Sequence, residues 1–183
     1  MQVYFLDNED FFKRKSVFED DQGKSFEDNE DRMIFFCKGA IETVKKFGWA
    51  PDIVHCHGWM TSLVPLYLKT AYKNDPIFQN SKVVYSIYNN SLEGTFTDDF
   101  VDKASINNLE AEDLTDYLKG DGITLHKGAC VFSDAIIKGS EELSVALEKA
   151  LQGLDKPTLE FKGEEDYLSA YLEFYNSVLE QEV

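Results

Sequence analysis

The sequence predicts an α/β fold, a parallel sheet with helices on both faces. Three observations carry this. Short apolar runs recur at Ile53–Cys56, Lys82–Tyr88 and Ala135–Lys138. Longer stretches with apolar residues near a 3.6-residue spacing lie between them. No repeat, low-complexity tract or linker rich in Pro or Gly divides the chain, so residues 1–183 read as one domain. Strands alternating with helices require parallel pairing and right-handed crossovers.

The elements follow in order. VYFLD, directly after Gln2, reads as a first strand. Residues 7–31 are strongly acidic and read as an exposed excursion anchored by Phe11, Phe12, Phe18 and Phe26. A helix is expected over Arg32–Phe47, capped by Asp28 or Asn29 and stopped by Gly48. Arg32 is placed to pair with an acidic neighbour or to reach a ligand. After the strand at Ile53–Cys56, a helix is expected over Met60–Tyr72, with Leu63, Leu66, Tyr67 and Tyr72 inward. The VVYSIY strand ends in Asn89-Asn90, and a polar loop with Gly94 follows. Residues 95–127 carry little signal; helices are expected near Asn108–Lys119 and Ile123–Phe132, with Glu110, Glu112 and Asp113 on a solvated face. After Ala135–Lys138, Gly139-Ser140 opens a helix running to Leu151, with Ser140 as N-cap. A strand at Thr158–Phe161 and a helix at Glu164–Leu179 finish the chain.

Charge excludes several partners. Lys and Arg number 18 against 34 Asp and Glu, a net charge of −16. Nucleic acid and anionic membrane surfaces both require the opposite sign. A neutral substrate such as a glucan is compatible. Cys37, Cys56 and Cys130 match no zinc or redox spacing and read as buried free thiols of a reducing compartment, which places the protein in the cytoplasm. No apolar run approaches the roughly 18 residues of a membrane helix.

Ligands of open parallel sheets bind beyond the carboxyl ends of the strands. That rule selects His55–Trp59, Tyr88–Gly94 and Lys138–Glu142. His55 and His57 alternate onto one face of a strand. Two imidazoles can begin a metal site, but no third ligand stands at a suitable spacing and His126 is far along the chain. One histidine is therefore expected to pack in the sheet and donate to a backbone carbonyl, the other to end the strand. Trp59, at the strand–helix corner, reads as a packing anchor or a wall for a sugar ring. Nucleotide-binding glycine loops and nucleophile elbows are absent from the sequence.

VYFLDNEDFF, FEDNEDRMIFF, WAPDIVHCHGWMTSLVPLYLK and KVVYSIYNN, in this order, resemble the N-terminal, starch synthase catalytic domain of bacterial glycogen and starch synthases. ACVFSDAIIKGSEEL is similar in position to that domain's last strand and helix. The resemblance implies a Rossmann-like sheet forming one half of a two-domain GT-B glycosyltransferase, here lacking its first β–α unit. It implies transfer of glucose from ADP-glucose or UDP-glucose to an α-1,4-glucan, with retention and without a metal or other cofactor. It assigns His57, Gly58, Trp59, Tyr88 and Asn89 to the pocket: His57 as a hydrogen-bonding group, Trp59 as a stacking wall, Tyr88 as a plug or altered sugar contact.

The chain departs from that pattern. Gly58 stands where the family has an Asp, Tyr88 where it has a His, and Met60 replaces a polar residue. The family's early Lys-x-Gly-Gly-Leu loop and its second domain have no counterpart in these residues. Three functional readings follow: a catalytically degenerate domain, a non-catalytic glucan- or partner-binding module, or an enzyme completed by a second GT-B domain in trans. Replacing Gly58 by Asp and Tyr88 by His together is expected to restore sugar binding.

Overall fold

A computed structural model describes residues 2–92, 96–107, 109–117 and 122–180. In chain order the elements are α1 (Glu9–Phe12), α2 (Asn29–Phe47), β1 (Ile53–His57), α3 (Leu63–Lys69), β2 (Lys82–Ile87), α4 (Phe100–Ala104), α5 (Gly122–Phe132), β3 (Ala135–Lys138), α6 (Val145–Leu151), β4 (Thr158–Leu159) and α7 (Tyr167–Glu180). Short 3-10 turns lie at Trp59–Thr61 and Ala111–Leu114. The four strands form one sheet in the order β1-β2-β3-β4, with every neighbouring pair parallel.

A parallel sheet must cover both faces. Strand alternation sends Val83, Tyr85, Ile87 and Ile136 into the larger core, with Met33, Cys37, Leu63, Leu66, Leu125 and Ala129. Val84, Ala135 and Ile137 point the other way and are covered by α7 through Val178, Tyr171, Phe174 and Tyr175. Each fully buried aliphatic side chain contributes about 1.5–3 kcal/mol. Asp134 joins the sheet to α3: its Oδ2 accepts from Val83 N and from Lys69 Nζ, both at 2.6 Å. Cys37, Cys56 and Cys130 are buried and free.

Several expectations need correction. VYFLD forms no strand; Val3, Tyr4 and Phe5 are exposed. Its β-prone residues lack a ladder partner, and a strand without one is not stable. The residue preceding α2 is Asp28, but its carboxylate makes no cap bond. It is held instead by Arg14, whose guanidinium donates to both oxygens at 2.7 and 2.5 Å. Asn29 lies inside the helix and binds Arg32. Arg32 is buried and, among the described residues, pairs with no acidic neighbour: its Nε donates to Phe11 O at 2.9 Å, and the group packs over Phe12 and Phe26.

The expected helix at Asn108–Lys119 reduces to a 3-10 turn at Ala111–Leu114, with Asn108, Leu118 and Lys119 outside the described residues. Glu110, Glu112 and Asp113 crowd like charges there, and Glu110 with Asp113 closes a capping box. The stretch still feeds the core. Tyr117 is fully buried, donates to Ser62 O at 3.1 Å, and lies where a Cβ on Gly128 would meet its ring at 2.5 Å. α4, which no sequence signal marked, is fixed to α2 by Lys103–Asp31 at 2.7 Å. α6 starts later than expected: Ser144, not Ser140, is its N-cap, accepting from Leu147 N at 3.3 Å. Gly94, in the polar loop, lies outside the described residues.

Candidate functional site

The carboxyl ends of β1, β2 and β3 bring the three selected stretches together. Gly58 N donates to Ser86 O at 3.0 Å and Gly139 N to Ile87 O at 2.8 Å, extending the parallel ladder past the strands. Asn89 knits the next layer: its N donates to Ser140 Oγ, and its Oδ1 accepts from Ser144 N, both at 3.0 Å. Ser140 thus holds the end of β2 rather than capping a helix.

The two histidine rings lie with centroids 3.9 Å apart, tilted by 36°. Among the described residues neither ring has a backbone carbonyl as partner, where the sequence leads one of the two to donate to one. His55 Nδ1 lies 2.6 Å from Tyr175 Oη on α7, and its Nε2 lies 2.7 Å from Ser86 Oγ. Both nitrogens are engaged, so His55 has no lone pair free for a metal. Burial pushes its pKa down to about 3. Among the described residues, no cluster of three or more His, Cys, Asp or Glu is placed to hold a metal ion.

His57 ends β1 with its ring at the mouth. Its Nδ1 lies 2.9 Å from Tyr88 Oη, and burial lowers its pKa, leaving a neutral imidazole at pH 7. Burial raises the Tyr88 pKa, so the phenol stays protonated. The Tyr88 ring lies against Gly139, where a Cβ would come within 2.5 Å of it. Glycine at 139 is what admits the ring. Tyr88 thus fills space that three strand ends enclose.

Gly58 adopts φ 68°, ψ 179°. That region is accessible essentially to glycine alone. A Cβ there would have room, with Tyr88 Cδ2 at 3.7 Å and Asn90 Oδ1 at 3.9 Å, but the backbone would be strained. An Asp at 58 would therefore be strained on this backbone, which weighs against the expected restoring exchange at that half.

Trp59 is only 3% exposed and Phe18 packs on it at 4.9 Å. It anchors the corner, and the accessible aromatic face beside it belongs to Phe18. A groove of 720 Å³ runs along Val17, Phe18, Glu19, Trp59, Asn89 and Asn90. A smaller recess of 190 Å³ lies between Phe18, His57, Gly58, Trp59 and Tyr88. Sequence reasoning placed Phe18 in the acidic excursion and gave no reason to bring it here. Asn90 falls within the selected stretch Tyr88–Gly94 without a role, and His126 enters the sequence reading only as a distant metal ligand. His126 Nε2 lies 2.5 Å from Asn90 O. A carbonyl only accepts, so Nε2 carries the proton and Nδ1 accepts from Tyr85 Oη at 2.8 Å. A wholly buried histidine thereby positions the groove rim, with its pKa lowered to about 4 by burial.

The arrangement presents hydroxyl, amide and aromatic groups at the ends of a parallel sheet, with the Glu19 and Asp20 carboxylates on the groove wall. The family model for the starch synthase catalytic domain matches residues 1–155. The chain belongs to that family. A glycogen synthase of Chlorobaculum tepidum is 36% identical over 164 residues, which are 88% of this chain and 31% of that protein. A glycogen synthase of Pelodictyon phaeoclathratiforme is 42% identical over 95 residues, 51% of this chain and 19% of that protein. The chain therefore matches between about a fifth and a third of the length of these relatives. Among solved structures, the catalytic domain of Starch Synthase IV from Arabidopsis thaliana, bound to ADP and acarbose, superposes with a TM-score of 0.59 at 20% identity. That match covers 76% of this chain and 31% of that one, and shows the shared GT-B-type α/β fold. No helix among the described residues is long and apolar enough to cross a membrane.

Proposed function

We propose that this starch-synthase-type domain holds a glucose-bearing ligand at its strand ends but does not itself transfer glucose. The observation that carries this is Tyr88: its ring fills the space over Gly139 and its hydroxyl engages His57. The family reaction moves glucose from ADP-glucose or UDP-glucose to an α-glucan, and needs positioned groups at the reacting centre. Gly58 supplies no carboxylate, and Tyr88 is neutral where the family has a histidine. Removing one such group typically costs about 10²–10³ in rate, and here two are exchanged together. Asn89, Asn90 and His57 remain as hydrogen-bonding groups and Phe18 as the aromatic wall. No cofactor is required for this role, and three buried free thiols support a cytoplasmic setting.

Nuclear magnetic resonance tests the reading directly. ADP-glucose, UDP-glucose or maltoheptaose should shift the backbone amides of Gly58, Asn89 and Asn90. If none of the three ligands moves these amides, the strand-end site binds no sugar and the proposal fails. A second reading is a domain that transfers glucose only together with a second GT-B domain. Copurification with such a domain, together with transfer by the pair, would support it over the first.

A further inference from the structure

We propose that Tyr175 of α7 is a positioning residue for the strand-end site, acting through His55 and Ser86 on Tyr88 and His57. This rests on the reading above that the strand ends hold a glucose-bearing ligand, and adds control of that site by a helix behind the sheet. The family model matches residues 1–155, and α7 lies beyond them, at Tyr167–Glu180.

The sequence suits α7 to this contact. Tyr167, Tyr171 and Tyr175 recur at every fourth position and so share one helix face. Their rings meet edge to face, with successive centroids 5.8 and 6.1 Å apart. Val178, one turn further on, is 1% exposed and packs with Val84, Ala135 and Ile137. That packing holds the helix on the second sheet face. β1 supplies the other partner. Strand alternation puts His55 on the same face as His57, and its ring lies 5.8 Å from that of Tyr171 and 5.7 Å from that of Tyr175.

The hydrogen bonds run in series. Tyr175 Oη stands 2.6 Å from His55 Nδ1, and Ser86 Oγ stands 2.7 Å from His55 Nε2. A neutral imidazole donates from one nitrogen and accepts at the other. The two hydroxyls are therefore joined through the ring, whichever tautomer is present. Ser86 stands two positions before Tyr88 and so faces the same side. Burial and then Tyr171 raise the Tyr88 pKa, and a hydrogen bond with Ser86 opposes them. Tyr88 Oη in turn lies 2.9 Å from His57 Nδ1. The series thus leads from Tyr175 through His55, Ser86 and Tyr88 to His57, from α7 to the mouth. Ring contact doubles it, since the His55 and His57 centroids lie 3.9 Å apart. A group at an open strand end keeps a binding geometry only when packing and hydrogen bonds behind it lock its rotamer. Members of such a network also polarise and orient one another. With the Tyr175 hydroxyl gone, His55 loses the partner at Nδ1, and both His57 and Tyr88 lose the fixed wall behind them.

The test compares two variants of α7 in the 183-residue chain. Tyr175→Phe keeps the ring and removes only the hydroxyl. Val178→Ala weakens the packing of the same helix and lies outside the series. In the ligand-free protein, Tyr175→Phe should shift the His57 ring nitrogens and the Asn89 and Gly139 amides by nuclear magnetic resonance. Ser86→Ala, which cuts the series on its other side, should reproduce those shifts. Tyr175→Phe should also weaken about tenfold the binding of whichever of maltoheptaose, ADP-glucose and UDP-glucose the wild type takes. Val178→Ala should lower the urea midpoint yet leave the His57 nitrogens and the affinity at wild-type values. Wild-type His57 resonances and affinity in folded Tyr175→Phe would overturn the proposal. Equal changes in Val178→Ala would also overturn it, by showing that the helix acts through packing alone. If the wild type binds none of the three sugars, the strand-end reading fails separately, and the ligand-free shifts decide the role of Tyr175 by themselves.

Discussion

Gly58 and Gly139 are the residues on which the site's shape depends, for different reasons. Gly58 is required by its backbone, at φ 68°. Gly58→Asp should therefore lower stability by about 1–3 kcal/mol, read from urea denaturation, whatever stands at position 88. Gly139 is required by its neighbour, since a Cβ would lie 2.5 Å from the Tyr88 ring. Gly139→Ala should cost about 1–3 kcal/mol through overpacking. Tyr88→Ser should relieve most of that cost in the double variant. Simple additivity of the two changes would show that the ring does not occupy that space. The motif His-Cys-His-Gly-Trp was legible as a strand end. That its glycine has a glycine-only conformation was not, because backbone dihedrals leave no mark on residue spacing.

At the scale of elements, α7 is joined to β1 by the hydrogen bond of His55 with Tyr175, and among the described residues it is the helix that covers the second sheet face. Tyr175→Phe should lower stability by about 1–3 kcal/mol by leaving a ring nitrogen unpartnered. Burial holds His55 and His126 down at about 3 and about 4, against 6.5 when exposed. Between those values the unfolded chain binds more protons than the native one. The stability that the neutral rings contribute is complete above 6.5 and is lost as pH falls toward the folded values. The urea midpoint should thus decrease between pH 7 and pH 5, and neither ring should titrate above pH 5 by nuclear magnetic resonance. A midpoint near 6.5 for either histidine would contradict its burial. The pairing of His55 with Tyr175, 120 residues apart, could not be read from sequence; alternation gave only the shared face of His55 and His57. Likewise Tyr117 and α4 came from a stretch whose charges mask a periodic pattern.

For the whole molecule, strand–helix alternation was enough to predict the parallel sheet, because short apolar runs separated by helices admit few other arrangements. The amino-terminal VYFLD misled, since β-propensity reports a suitable surface and not the presence of a neighbouring strand. Membership of the starch synthase catalytic domain family was legible in PDIVHCHGW and in the order of the flanking motifs. The location of the groove wall was not, because Phe18 reaches it through a loop. The central claim is that this domain holds a glucose-bearing ligand without transferring glucose alone. It is tested most directly by incubating the purified chain with ADP-glucose or UDP-glucose labelled in the sugar, with glycogen as acceptor. The account predicts no label in polymer from folded protein. Label appearing in glycogen, and lost on His57→Ala, would contradict it and show that Gly58 and Tyr88 are compatible with transfer.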